Sequence, residues 1–180
     1  MSSTALFLLA FVVLPLWLVA GYADYLCHRA SRIEATSGWR ESALHLVQLA
    51  EVGVVILAAL AFEVNGALVG FAVAMIAAHE VTTWIDLTYA SPRRRISVIE
   101  QMVHSVLEVL PLAALLLLLV QRWPDLRGLA RALDDLSPRL ADYPIPGTWL
   151  AGLAVAVGLL GVAPYVEELW RCLRAERAGR

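Results

Sequence analysis

The sequence predicts an all-α integral membrane protein. It reads as a single domain over residues 1–180 with five transmembrane helices, the first four forming a four-helix-bundle core. A short interfacial amphipathic helix precedes the fifth span. Three observations lead there. The chain is 60% hydrophobic and only 17% charged, against roughly 45–50% apolar in a soluble domain even with glycine counted. Its mean hydropathy is +0.70. Its apolar stretches reach about 20 residues, the length an α-helix needs to cross the hydrocarbon core. A helix satisfies its own backbone hydrogen bonds in lipid, whereas an open strand does not.

Each element follows from its punctuation. Helix 1 covers residues 5–32, with Pro15 as a kink point. No Lys or Arg precedes Arg29, so the basic leader of a secretory signal is missing and the stretch reads as a retained span, despite the small residues around Gly21-Tyr22-Ala23. Thr36-Ser37-Gly38 ends it, with Ser37 or Gly38 placed to cap helix 2. Helix 2 covers residues 39–64 and stops at the turn pair Asn65-Gly66. Helix 3 covers 67–89 and stops before Ser91-Pro92. Helix 4 covers 96–122, contains Pro111 and closes at Trp123-Pro124. In the segment 124–146, Leu126, Leu129, Leu133, Leu136 and Leu140 recur at helical spacing among Arg and Asp, the pattern of a helix lying in the interface. Helix 5 covers 148–173 and leads into a short basic tail.

Orientation is read from the loops. Arginines crowd the turn from Arg29 to Arg40, the triplet Arg93-Arg94-Arg95 and the tail (Arg171, Arg174, Arg177, Arg180). The Asn65 turn has none, and 124–146 balances its arginines with aspartates. The positive-inside rule puts the N-terminus outside and the C-terminus in the cytoplasm, in a membrane of the bacterial inner type. Cys27 and Cys172 then both fall on the reducing side and form no Cys-x-x-Cys pair, so no disulfide is expected. The net charge of −2 gives no footing for nucleic acid. Membrane lipids and an apolar small molecule are the partners this composition implies.

The chemistry concentrates in one pattern. Asp24 and His28 are four residues apart in helix 1, Glu41 and His45 in helix 2, and Glu100 and His104 in helix 4. His79 and Asp86, with Glu80 beside them, close helix 3. Residues four or seven apart share a helix face. Because successive helices alternate direction, all these groups lie toward the cytoplasmic leaflet. Ionisable groups in hydrocarbon are costly and mark function. Carboxylates that neutralise cations and imidazoles that fill terminal positions are the ligands of a two-metal site in a helical bundle. Soluble di-iron bundles space the pair i, i+3; this chain uses i, i+4.

The expected ligands are Asp24, His28, Glu41, His45, His79, Glu80, Asp86, Glu100 and His104, with Tyr25, Thr83 or Glu108 as proton donors. Glu51 and Glu63 point elsewhere by helical phase. Glu167-Glu168 reach the same leaflet from helix 5. The tryptophans at span ends form an aromatic belt, and the arginine triplet is a topology signal. The function this implies is a di-metal oxidoreductase, with iron favoured and zinc or manganese as other metals. It would activate oxygen, with electrons from a donor, against a lipid-phase or quinone-like substrate. A zinc-dependent membrane hydrolase, a haem b electron carrier and a proton or metal transporter are the alternatives.

Overall fold

The computed structural model describes residues 7–121, 137, 139–140 and 146–179. It is an all-α membrane protein, and among the described residues five helices are each long and apolar enough to cross a bilayer: α1 (Leu9–Ser31), α2 (Trp39–Ala61), α3 (Gly66–Ala90), α4 (Val98–Val120) and α5 (Gly147–Ala178). The polarity pattern is inverted relative to a soluble protein. Val19, Leu57, Trp84, Ile99, Leu116 and Val155 are exposed, while Asp24, His28, Glu41, His45, Glu100 and Glu168 are buried. Apolar surface of that extent has lipid as its natural solvent.

Proline shapes the two helices that carry it near a wide turn. Leu9–Val13 and Gly158–Val162 are π-type turns, and Pro15 and Pro164 follow directly. A helical proline lacks its N–H and crowds the carbonyl four residues back, here Phe11 and Leu160. The widened turn absorbs both effects. Pro111 instead lies inside α4.

The connections depart from the sequence reading by a few residues, for local reasons. Arg32 adopts the left-handed region (φ 54°) and ends α1, and a 3-10 turn (Ile33–Ala35) follows. Gly38 takes φ 75°, a conformation that favours glycine, and its N–H donates to the Ile33 carbonyl at 2.8 Å. The Ser37 hydroxyl does not cap α2. This helix ends at Ala61 rather than at 64 because Phe62 becomes extended, and the Glu63 N–H donates to the Arg139 carbonyl at 2.8 Å. Asn65 caps α3: its side chain accepts from the Leu68 N–H at 3.0 Å and donates to the Ser137 carbonyl at 2.8 Å. Before α4, Ser97 and Glu100 form a reciprocal capping box: the Glu100 N–H donates to Ser97 Oγ at 3.1 Å and the Ser97 N–H to Glu100 Oε2 at 3.3 Å. The basic tail is not a coil. It continues α5 to Ala178, with Arg171 paired to Glu34 and Arg174 stacked on Trp170. Most of the interfacial segment 124–146, including Leu126, Leu129, Leu133 and Leu136, lies outside the described residues.

Helix packing joins α1 to α4 and α2 to α3, with α3 also meeting α4. Helix α5 packs on both α1 and α2, so the bundle of α1–α4 gains a fifth wall where those two would otherwise face each other. One apolar cluster, Leu14, Trp17, Leu18 and Val52, ties α1 to α2 and packs on Leu107 and Leu160. A second, Val64, Leu68 and Leu118, closes the opposite end. The polar residues lie at the arginine-rich end, where the packing of α5 brings Glu168 against α1 and α2.

Candidate metal centre

Glu168 organises the site. One carboxylate oxygen lies 3.0 Å from His28 Nδ1 and the other 2.8 Å from His45 Nδ1. An ionised carboxylate only accepts, so each Nδ1 carries a proton and donates it. In the neutral imidazole that leaves Nε2 with a lone pair, as when a carboxylate behind a histidine orients it for a metal. The two rings stack in parallel, centroids 4.2 Å apart and planes 12° apart. They therefore present their Nε2 atoms away from Glu168.

Two groups of donors face those atoms. His28 Nε2 lies 3.4 Å from both Asp24 Oδ1 and Glu100 Oε1, and His104 Nε2 lies 3.0 Å from Asp24 Oδ1. His45 Nε2 lies 3.4 Å from Asp86 Oδ2 and 3.8 Å from Glu41 Oε1. Within each group one donor atom per residue falls inside 4.8 Å of the others. Donors bonded at about 2.1 Å to one tetrahedral ion sit roughly 3.4 Å apart, so the separations suit a cation in each group. The first group draws on α1 and α4, the second on α2 and α3.

Arg94 joins the groups from the other side. It is buried, donates to Glu41 Oε1 from Nε at 2.8 Å and from a terminal nitrogen at 2.5 Å, and approaches Glu100 Oε1 to 2.6 Å. Burial alone would favour loss of its proton. The hydrogen bonds to Glu100 and Glu41 outweigh this and hold its pKa above the usual arginine value, so the guanidinium is a fixed cation. The capping box holds the other Glu100 oxygen and so aims Oε1 inward. Despite this network, His28 Nε2, Glu41 Oε2 and Asp86 Oδ1 are buried without a hydrogen-bond partner. Such atoms cost about 1–3 kcal/mol each when left unsatisfied, and all three belong to the two donor groups.

Tyr165, on the same face of α5 as Glu168, donates to the Gly21 carbonyl at 3.1 Å and lies 3.4 Å from Asp24 Oδ2. Beside the donors is a cavity of about 60 Å³ lined by Asp24, His45, Asp86, His104, Thr83 and Glu108 among others. Volume of this order holds a few water molecules.

Seven of the nine expected ligands converge: Asp24, His28, Glu41, His45, Asp86, Glu100 and His104. Two do not. His79 lies deeper in the bilayer and pairs instead with Glu51 (Nδ1 to Oε2, 3.6 Å), whose other oxygen accepts from Thr82 at 2.8 Å. Helical phase was a poor guide to Glu51, because α3 packs on α2 along the face that carries it. Glu80 is exposed, one residue and about 100° round α3 from His79. Of the expected proton donors, Thr83 and Glu108 line the cavity, whereas Tyr25 faces away. Its hydroxyl donates to Glu167 and accepts from Arg29, both at 2.8 Å.

Sequence reasoning left Arg94 and Tyr165 out of the site. Nothing in an arginine triplet marks its middle member. Tyr165 and Glu168 do carry a signal, an i, i+3 polar pair at the end of an apolar run. No protein-family model matches the chain, and no curated protein or solved structure matches it either.

Proposed function

We propose that the protein is a membrane-embedded oxidoreductase holding two metal ions, iron before manganese, and acting on an apolar substrate from the bilayer. One observation carries this reading. Among the described residues, five buried carboxylates (Asp24, Glu41, Asp86, Glu100, Glu168) meet a single buried guanidinium, Arg94. With neutral imidazoles, four negative charges remain uncompensated, the charge of two divalent cations. Left bare in hydrocarbon, such a cluster is strongly disfavoured.

The donor set is oxygen and imidazole nitrogen. Cys27 and Cys172 are free thiols outside the donor groups. Such ligands suit iron, manganese and zinc more than the soft metals. A bound pair of redox-active ions would supply one-electron steps and a site for oxygen. The chain's own residues orient the imidazoles through Glu168, fix a positive charge between Glu41 and Glu100 through Arg94, and offer Glu108 and Thr83 beside the cavity to carry protons. The haem reading is less favoured, since His28 and His45 stack too closely to admit a porphyrin between them. The arginine-rich turns and the end of α5 lie at one end of the molecule, joined by pairs such as Arg171–Glu34 and Arg29–Glu167. By the positive-inside rule we assign that end, and the metal layer with it, to the cytoplasmic side of a bacterial-type inner membrane.

Mössbauer spectroscopy on protein produced with ⁵⁷Fe tests the reading. A coupled pair of high-spin irons, reducible with added electron donor and reoxidised by air, is expected. Stoichiometric zinc with no iron uptake would replace this reading with the hydrolase.

A further inference from the structure

Beyond the acid–imidazole layer, a second cavity of about 110 Å³ lies between α1, α2, α3 and α4, with Trp149 of α5 also in its wall. Its walls are apolar, including Val13, Val52, Ile56, Ala114 and Leu118, and Trp17 separates it from the cavity beside the donors, lining both. The π-type turn Leu9–Val13 contributes Leu9, Ala10 and Val13 to this outer cavity, while the turn Gly158–Val162 contributes Leu160 and Gly161 to the inner one. Such turns gather at functional sites because they re-aim a helix face.

One ionisable side chain reaches the outer cavity, that of Glu51. Thr82 satisfies its Oε1, but Oε2 is buried without a hydrogen-bond partner, as is His79 Nδ1 3.6 Å away. An apolar chamber of nearly the size that holds benzene (about 150 Å³) stays dry and takes apolar guests. These two polar atoms lie where the cavities adjoin, Glu51 lining the outer one and His79 the inner, and they need a group that donates to a carboxylate and accepts from, or donates to, an imidazole. A hydroxyl does both.

We propose that this cavity binds an apolar molecule bearing one hydroxyl, an alcohol or phenol, with its ring or chain segment among the aliphatic walls and its hydroxyl on Glu51 and His79. The step from ligand to substrate rests on the metal-centre reading; the binding itself does not. Glu51 and His79 are thus positioning residues that direct the polar end of the guest toward the inner cavity and the donors.

Trp17 reports occupancy, since bromine quenches an indole only at contact. Wild-type protein and Trp17→Phe, in phosphatidylcholine nanodiscs, are titrated with 8-bromooctan-1-ol and with 1-bromooctane, before and after metal removal. The share of quenching due to Trp17 is the difference between the two proteins. That share should saturate with the alcohol at concentrations about tenfold below those needed for the bromoalkane, the discrimination of one hydrogen bond to a charged group. Glu51→Leu should abolish this preference while keeping metal content, and Ala114→Phe, which fills the cavity, should abolish saturable quenching by both. Should Glu51→Leu not fold, Glu51→Gln and His79→Leu replace it, each expected to lower the preference at least threefold. Equal quenching by both probes in the wild type, or a preference that survives these substitutions, overturns the proposal. Absence of metal with the alcohol preference intact would count against the metal centre alone.

Discussion

Glu168 shows how much one side chain decides here. By holding Nδ1 of both His28 and His45 it sets the tautomer of each and points both Nε2 atoms at the carboxylates of the other helices. Substituting Glu168→Ala should therefore weaken metal binding about 10–100-fold, the usual cost of losing the group behind a ligating histidine. A competition titration against a chromogenic chelator measures this. Equal affinity in variant and wild type would mean that Glu168 is structural only. Arg94 acts in the opposite sense. Arg94→Ala leaves Glu41 and Glu100 buried beside each other without their shared cation, and removing one partner of a buried pair costs about 3–5 kcal/mol. Thermal unfolding in detergent should show metal-free Arg94→Ala well below metal-free wild type, with bound metal narrowing the gap. The i, i+4 acid–histidine pairs are readable in the chain because helical phase is a local property. The partners of those pairs are not, since which Glu meets which His depends on how five helices pack, and no local pattern distinguishes Arg94 from Arg93 and Arg95.

The helices owe their ends to short-range chemistry, and there the sequence was an uneven guide. Asn65-Gly66 ends one span and begins the next, as turn preferences dictate, and Asn65 supplies the cap itself. The Ser97–Glu100 box is visible in the chain as Ser-x-x-Glu, yet its meaning for the site comes only from the fold: it holds Glu100 Oε2 so that Oε1 faces His28. Ser97→Ala should cost about 1 kcal/mol in stability and also lower metal affinity, because the lost hydroxyl accepts from the N–H of Glu100, itself a member of one donor group, and loosens the turn that carries it. Loss of stability without loss of affinity would separate the cap from the site. The displacement of His79 has an element-scale cause as well. One and two helical turns separate it from the levels of Thr82 and Asp86 on α3, and α2 offers Glu51 at that depth. A depth offset of one turn was foreseeable from residue counts. The choice of a different partner was not.

At the scale of the whole molecule, the fold places apolar surface outward and charge inward, and α5 completes the ring by wedging Glu168 between α1 and α2. Membrane insertion follows from composition, and that much of the fold was legible at once. The role of α5 was not, because an apolar run with two terminal glutamates reads equally as a lipid-facing span. The orientation has its own test: a green fluorescent protein fused at the C-terminus should fluoresce and an alkaline phosphatase fusion there should be inactive, the reverse pattern contradicting a cytoplasmic end. Because imidazoles must be unprotonated to bind, metal should be released as the pH is lowered. The central claim is that two donor groups sharing Glu168 each hold a cation. Elemental analysis of protein purified without chelator, beside His28→Ala, His45→Ala and Glu168→Ala, tests it most directly. About two equivalents of one transition metal per wild-type chain, lost in part in each histidine variant and nearly wholly in Glu168→Ala, is the expected result; wild-type protein without bound metal, or all three variants retaining the full complement, would contradict it.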